Sequence, residues 1–279
     1  MTMILRLGDR SQDVQVLQQR LIKTGAKLEA TGLFDAATEA AVRALQLKAG
    51  LVADGIAGEK TLAAMMGYDT SRRLKQATLV AGAKRLGVEL AAVMAFNEVE
   101  SKGSGFLDSG KPKILFERHI MYRQLCEVRK TGDDTEALKA RAEQLAIQQP
   151  NLVNQKAGGY IGGSGEHQRL AAARQIDETS ALESASWGAF QVMGYHAVRL
   201  GYADVQEFVE RMSRDENEQF EAFVRFIAAE PALLKALQAK RWSVVAKLYN
   251  GADYLRNMYD TKLERAYERY AEAHVAEAA

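Results

Sequence analysis

Ala95-Phe96-Asn97-Glu98-Val99-Glu100-Ser101-Lys102-Gly103 is the segment on which the rest of the chain turns. It closes a largely apolar stretch, predicted helical over 88–100, with two acids and then enters glycine-rich chain. Glu98 and Glu100 lie about 200° apart around a helix, so they cannot share a face. One is expected to reach a cleft and the other solvent. A carboxyl beside Phe96 and Val99 at the end of a buried helix is a candidate general acid, because apolar surroundings raise its pKa. Spacing alone is equally met by ordinary surface acids at a helix end.

Two later segments supply context. Ser184-Ala185-Ser186-Trp187-Gly188-Ala189-Phe190-Gln191-Val192-Met193-Gly194 predicts a small-residue turn feeding an apolar helix over 190–200, with Gln191 on its first turn. Lys247-Leu248-Tyr249-Asn250-Gly251 sets Tyr and Asn before a glycine at a helix end. Each alone also fits core aromatic residues and an ordinary glycine cap. Helical periodicity further predicts helices over 77–86, 135–148, 166–182, 205–229, 232–238, 244–248 and 252–276. Only Pro112, Pro150 and Pro231 interrupt the 279 residues, so a mainly α fold is expected. Glycines cluster at 103–110 and 158–165, where turns and short hairpins are expected. The second cluster lacks the Gly-Lys-Ser/Thr ending of a phosphate-binding loop.

The first 68 residues have a different texture. Helices fit 11–24, 36–48 and 58–66, with Ser11 as N-cap and Gly25 as a stop. Gly32-Leu33-Phe34-Asp35-Ala36-Ala37-Thr38 is echoed by Gly55-Ile56-Ala57-Gly58-Glu59-Lys60-Thr61. Each is a tight turn that inserts one apolar residue and then starts a helix. The polar segment 67–76 is a linker, giving a small domain at 1–68 and a larger one at 77–279.

A formal net charge of +1 argues against a general nucleic-acid binder. The lone cysteine, Cys126, excludes an intrachain disulfide and has no histidine constellation to make it a nucleophile. His119, His167, His196 and His274 are scattered without zinc spacing, so no metal and no cofactor are expected. No segment approaches a membrane span and no secretory leader opens the chain, so no stable membrane insertion is expected.

The N-terminal residues Leu7-Gly8-Asp9, Val14, Leu17-Gln18, Leu21, Gly32-Leu33-Phe34, Thr38, Gln46, Asp54-Gly55-Ile56-Ala57-Gly58 and Thr61-Leu62 resemble the peptidoglycan-binding module of cell-wall hydrolases. The resemblance implies wall contact near Gly32, Phe34, Thr38, Asp54, Gly55 and Thr61. Glu100-Ser101, Lys111-Pro112-Lys113-Ile114-Leu115-Phe116-Glu117-Arg118-His119, the Ser184–Gly194 segment and Tyr249-Asn250-Gly251 resemble, in order, the N-acetylmuramidase domain of modular endolysins. These belong to phages of Gram-negative bacteria and are related to goose-type lysozymes and lytic transglycosylases. The implied architecture is a three-helix binding domain followed by a lysozyme-like helical domain with a short β-hairpin region. The implied catalytic residue is Glu100, with Glu98 a bystander and Glu117 the first choice for a second carboxylate. An ion pair between Glu117 and Arg118 or another cation is the competing role, and Glu166 and Glu183 are weaker candidates. Ser186, Gln191, Tyr249 and Asn250 are implied to hold substrate, with residues 158–165 a flexible hairpin over the sugar cleft.

The expected function is therefore cleavage of the β-1,4 bond between N-acetylmuramic acid and N-acetylglucosamine for host lysis. A lytic transglycosylase that closes a 1,6-anhydro ring is the near alternative; a non-catalytic wall-binding protein is the distant one. The chain is expected to be a monomer made in the host cytoplasm, reaching periplasmic peptidoglycan through a separate holin-type pore. Residues 1–70 hold eight basic and eight acidic residues, so wall attachment is expected to depend on shape rather than net charge.

Overall fold

The structure is a computed structural model that describes residues 4–101, 103–251 and 254–278, with side chains to 273. The chain forms two compact units, residues 1–99 with 236–279, and residues 100–235.

The first unit opens with α1 (Gln12–Lys23), α2 (Ala36–Lys48) and α3 (Glu59–Met65). Ser11 Oγ accepts from Val14 N–H at 3.2 Å, and Asp35 Oδ1 accepts from Thr38 N–H at 2.9 Å, so both longer helices start on side-chain caps. Val14, Leu17, Leu21, Phe34 and Val42 are fully buried in one small core. The two turns of the internal repeat are held by one device used twice. Gln18 Oε1 accepts from Gly32 N–H (2.9 Å), while its Nε2 donates to Leu33 O and Thr38 Oγ1 (both 2.8 Å). Gln46 Oε1 accepts from Gly55 N–H (3.0 Å), while its Nε2 donates to Ile56 O (3.0 Å) and Thr61 Oγ1 (2.9 Å). Both glutamines are buried, and each glycine takes the positive φ its turn needs (+77° and +75°). Next, α4 (Gln76–Leu86) stops at Gly87 in the left-handed region, and α5 (Leu90–Glu100) follows.

In the second unit, β1 (Ile114–Phe116) leads into α6 (Arg118–Leu125), α7 (Thr135–Gln148), α8 (Ser164–Arg174) and α9 (Glu178–Glu183). Then come β2 (Ala185–Trp187) and β3 (Val192–Met193), two short 3-10 turns at 194–196 and 198–200, α10 (Val205–Arg214) and α11 (Glu216–Ala228). The strands form one antiparallel sheet in the order β1-β2-β3, with Leu115 opposite Ser186 and Trp187 opposite Val192. Phe190 stacks on Phe223 at 4.6 Å and meets Phe220 edge-on at 5.6 Å, centring the core of α11 and the hairpin.

Three helix expectations are corrected here. The apolar helix expected over 190–200 is instead the β2–β3 hairpin and 3-10 turns. Gly188 and Gln191 both adopt positive φ (+74° and +51°), which a right-handed helix cannot contain. The long helices expected over 166–182 and 205–229 are each two. Asp177 accepts from Ser180 N–H, and Asp215 accepts from Asn217 and Glu218 N–H, so each restarts a helix as an N-cap. Helix α6, which begins at Arg118 inside the Phe-Glu-Arg-His segment, was not expected. Residues 158–163 form no strand; the β-structure lies in β1, β2 and β3.

The chain returns to the first unit through α12 (Pro231–Gln238) and ends in α13 (Trp242–Asn250) and α14 (Tyr259–Ala278). Ala252, where the last helix was expected to start, lies outside the described residues. Tyr249 meets Phe96 of α5 edge-on at 5.2 Å, and Trp242 packs against Tyr267 at 5.1 Å.

Candidate active site

Helix α5 is buried continuously from Ala91 to Phe96, and its last turn, Asn97 to Glu100, comes partway to the surface. Six apolar residues without a charge drive that burial. Glu100 is the last helical residue, half-buried, and Ser101 after it is buried. Lys102 lies outside the described residues. Glu98 does not face solvent as one of the two acids was expected to. Its carboxylate accepts from Arg269 Nη2 and from Tyr270 Oη (2.5 Å), both on α14. Burial, then the charges of Glu98 and Asp54, push the Tyr270 hydroxyl far above its ordinary range, so it stays a donor.

Beyond Glu100 the chain turns through Gly105, whose N–H donates to buried Glu216 (3.0 Å). Gln219, one turn further along α11, accepts from Ala189 N–H at 2.8 Å and donates to Met212 O at 2.9 Å. A Cβ on Gly105 would sit 1.8 Å from Gln219 Oε1, and one on Gly188 would sit 2.5 Å from its Cδ. Helix α11 thus fixes two glycine turns at once, the one after Glu100 and the one that bears Gln191. In that second turn Ser186 Oγ donates to Gln191 Oε1, and Gln191 Nε2 donates to Gly188 O, both at 2.8 Å. Ser186 is buried, whereas Gln191 is exposed in a left-handed conformation rarely adopted by residues other than glycine.

Glu117 follows β1 directly, and its N–H is held by Ser184 O at 2.8 Å. Its Oε2 accepts from Tyr160 Oη at 2.7 Å, and His119 Nδ1 lies 3.1 Å from the same oxygen without a directed hydrogen bond. Arg118 turns elsewhere, donating to the carbonyls of Pro150, Lys156 and Ala157. Glu166 and Glu183 are occupied as well. Glu183 pairs with Arg129 at 2.5 Å. Glu166 is fully buried, pairs with Arg169 at 2.8 Å and accepts from Phe116, Ile161 and Gly162 N–H. Its burial would raise the pKa, but the three backbone donors and Arg169 outweigh that and hold it below the usual glutamate range.

The structure therefore brings Ser186 to Gln191, and Glu117 to His119 and Tyr160. Tyr249 and Asn250, half-buried at the end of α13, belong to the first unit with Phe96. In the N-terminal module, Phe34, Thr38 and Thr61 are buried, and Gly32, Gly55 and Asp54 spend backbone or side-chain groups on the Gln18 and Gln46 clips. Beside them lies an open groove of about 710 Å³, lined by Thr24, Ala37, Ala41, Leu45, Lys48 and Met65 among others. Sequence reading missed Tyr160, Glu216, Gln219 and the role of Gln18 and Gln46. The two module glutamines sit on the apolar stripes of α1 and α2, a readable signal; the other three carry none. No group of three or more metal-ligating side chains occurs among the described residues.

Comparisons with known proteins match the two parts of the chain to two families. An N-acetylmuramidase family model matches residues 89–271, and a putative peptidoglycan binding domain model matches residues 10–65. A crystal structure of the Burkholderia AP3 phage endolysin is 51% identical, covers 97% of this chain and 99% of that one, and superposes with a TM-score of 0.88. No match is found among curated proteins. With a muramidase domain that spans most of its length behind a peptidoglycan-binding domain, the chain belongs to the N-acetylmuramidase family and is a lysozyme-type peptidoglycan hydrolase.

Proposed function

We propose that this protein is a phage endolysin whose Glu100 protonates the glycosidic oxygen of the β-1,4 bond between N-acetylmuramic acid and N-acetylglucosamine. The observation that carries the assignment is the placement of Glu100 at the emergent end of a helix otherwise buried among apolar side chains. A carboxyl carried at the end of a rigid, packed helix is held in place to hand its proton to a glycosidic oxygen. Proton transfer to the leaving oxygen lets the C1–O bond break, and a water adds its hydroxyl to C1 and loses its proton. Glu117 is the carboxylate proposed to assist, by accepting that proton or by steadying positive charge at C1. Gln191, Tyr249 and Asn250 are proposed substrate contacts, and buried Ser186 is proposed to position Gln191.

The proposed division places attachment in residues 1–68, a linker at 69–76 and catalysis in 77–279, in line with the spans of the two family models. Within the first part, Gly32, Phe34, Thr38, Asp54, Gly55 and Thr61 shape the two turns, while the groove beside α2 offers exposed surface to the wall. Among the described residues no helix is long and apolar enough to cross a membrane. The proposed route to the wall is release of a monomer to the periplasm through a holin-type pore.

The test is Glu100→Gln on purified peptidoglycan. It should cut hydrolysis by at least about 100-fold while the protein stays folded. Mass spectrometry of the wild-type products should show reducing ends. A variant that stays active sinks the assignment of Glu100, and 1,6-anhydro ends would make the enzyme a transglycosylase.

A further inference from the structure

Residues 158–163 read Gly-Tyr-type flexible chain by composition, yet they are fixed on both sides of Tyr160. On one side, Arg118 Nε and Nη2 donate to Lys156 O (2.9 Å) and Ala157 O (3.0 Å), and the same guanidinium packs against Gly158 and Gly159. On the other, Ile161 and Gly162 N–H donate to Glu166 Oε1 at 2.7 and 3.0 Å, and Glu166 is itself locked to Arg169. The four glycines flanking Tyr160 and Ile161 have φ of +111°, +77°, +81° and +52°. They serve a defined backbone path that residues with a Cβ would strain, not looseness.

What this path holds out is a tyrosine ring. Tyr160 is 46% exposed, and its hydroxyl is bonded to the half-buried carboxylate of Glu117. Burial and then Glu117 push the Tyr160 hydroxyl up to about 12, so it remains a proton donor across the working range. Folding that only needed to cover the core would not fix an aromatic ring in water with six hydrogen bonds to its own strap and support. A rigid ring beside a carboxylate is the chemistry that recognises a pyranose. The C–H face of the sugar packs on the ring, and sugar hydroxyls or an acetamido N–H donate to the carboxylate.

We propose that Tyr160, Glu117 and His119 form a glycan subsite that takes one N-acetylhexosamine unit of the wall strand. Tyr160 is its stacking platform, and Glu117, aligned by the Tyr160 hydroxyl, is its acceptor. The subsite rests on the hydrolase function proposed above but not on Glu100 being the acid. Arg118 and Glu166 are positioning residues for it, since they act only through the strap.

The experiment measures binding of the N-acetylglucosamine hexamer by calorimetry, using Glu100→Gln protein to prevent turnover. Tyr160→Ala in that background should weaken binding about tenfold, which is about 1.4 kcal/mol. Tyr160→Phe, which keeps the ring, should lose about threefold or less. Glu117→Gln should fall between the two. In otherwise wild-type enzyme, Tyr160→Ala should raise KM by a larger factor than it lowers kcat, with Tyr160→Phe closer to wild type in both. Parent protein that does not bind the hexamer, or Tyr160→Ala that binds as tightly as the parent, overturns the subsite. Should Tyr160→Ala fail to fold, Tyr160→Trp decides: affinity kept or improved supports the platform, and affinity lost by more than about tenfold overturns it. Chromatography of the hexamer separates the two proposals, because cleavage by Glu100→Gln defeats the catalytic assignment and leaves the binding comparison intact.

Discussion

Replacing Glu166 with glutamine tests how much the second unit depends on one buried pair. Glu166 is 0% exposed, and four donors converge on it: Arg169 and the backbone of Phe116, Ile161 and Gly162. Glutamine has the same size but offers one acceptor oxygen and brings an NH2 group to a site made for an acceptor. Arg169, 4% exposed, would keep Phe116 O and Asn151 O but lose its counter-charge, and its Nε already lacks a partner. Leaving one member of a buried pair uncompensated costs about 3–5 kcal/mol. For a chain of this size that lowers Tm by roughly 6–20 °C.

The pH dependence follows from the direction of the shift. Glu166 is held below the ordinary glutamate value of 4.5, so its stabilising contribution is present above that value and is lost as pH falls through the folded pKa. The wild-type advantage should therefore be wide at pH 7 and narrow in acid. Thermal melts of both proteins from pH 7 to 3, with hydrogen exchange of the Ile161 and Gly162 amides, measure it. Equal Tm at pH 7 with unchanged exchange at those two amides would refute the assignment of Glu166 as the anchor.

Other outcomes follow from the same structure. Glu98→Gln should keep most hydrolytic activity but melt a few degrees lower, since it breaks contacts with Arg269 and Tyr270; loss of activity at full stability would count against its structural role. Asp54→Asn should raise Tm at neutral pH. Burial lifts the Asp54 carboxyl above its ordinary 3.8, so its ionisation opposes folding as pH rises through the folded value, and the gain should vanish near pH 3. Gly194→Ala should cost at least about 1–3 kcal/mol, read as a lower denaturation midpoint, because its Cβ would lie 2.2 Å from Leu182 O. Ala40→Trp, exposed on α2 and lining the groove, should reduce cosedimentation with purified peptidoglycan at unchanged Tm. Equal sedimentation would remove the groove from the wall-binding face.

Much of the architecture was legible because its signals are local. Ser11 and Asp35 are hydrogen-bonding caps followed by apolar stripes, and α1 and α2 begin where they should. The hairpin was not legible, because Phe190 to Leu200 is apolar enough for a helix and only Gly188 and Gly194 warn otherwise. What overrides propensity there is long-range: β1 pairing, the Gln219 contact and the Leu182 carbonyl against Gly194. Asp177 and Asp215 were visible as capping residues but were read through, since periodicity continued on both sides. At the site, Glu117 stood out by its motif, whereas its partner Tyr160 lies 43 residues away in a glycine-rich run that composition alone labels as loose.

The two glutamine clips of the N-terminal module have a bearing on how such modules diverge. Gln18 reaches a glycine 14 residues on, and Gln46 reaches its own only 9 residues on, yet the four groups each amide engages stand in equivalent places. What is duplicated is a bonding pattern, not a spacing. Length changes between amide and glycine should thus be nearly neutral, while the two amides themselves leave little freedom. Copies of this module could drift far in loop length and surface and still be built around the same pair of interior side chains.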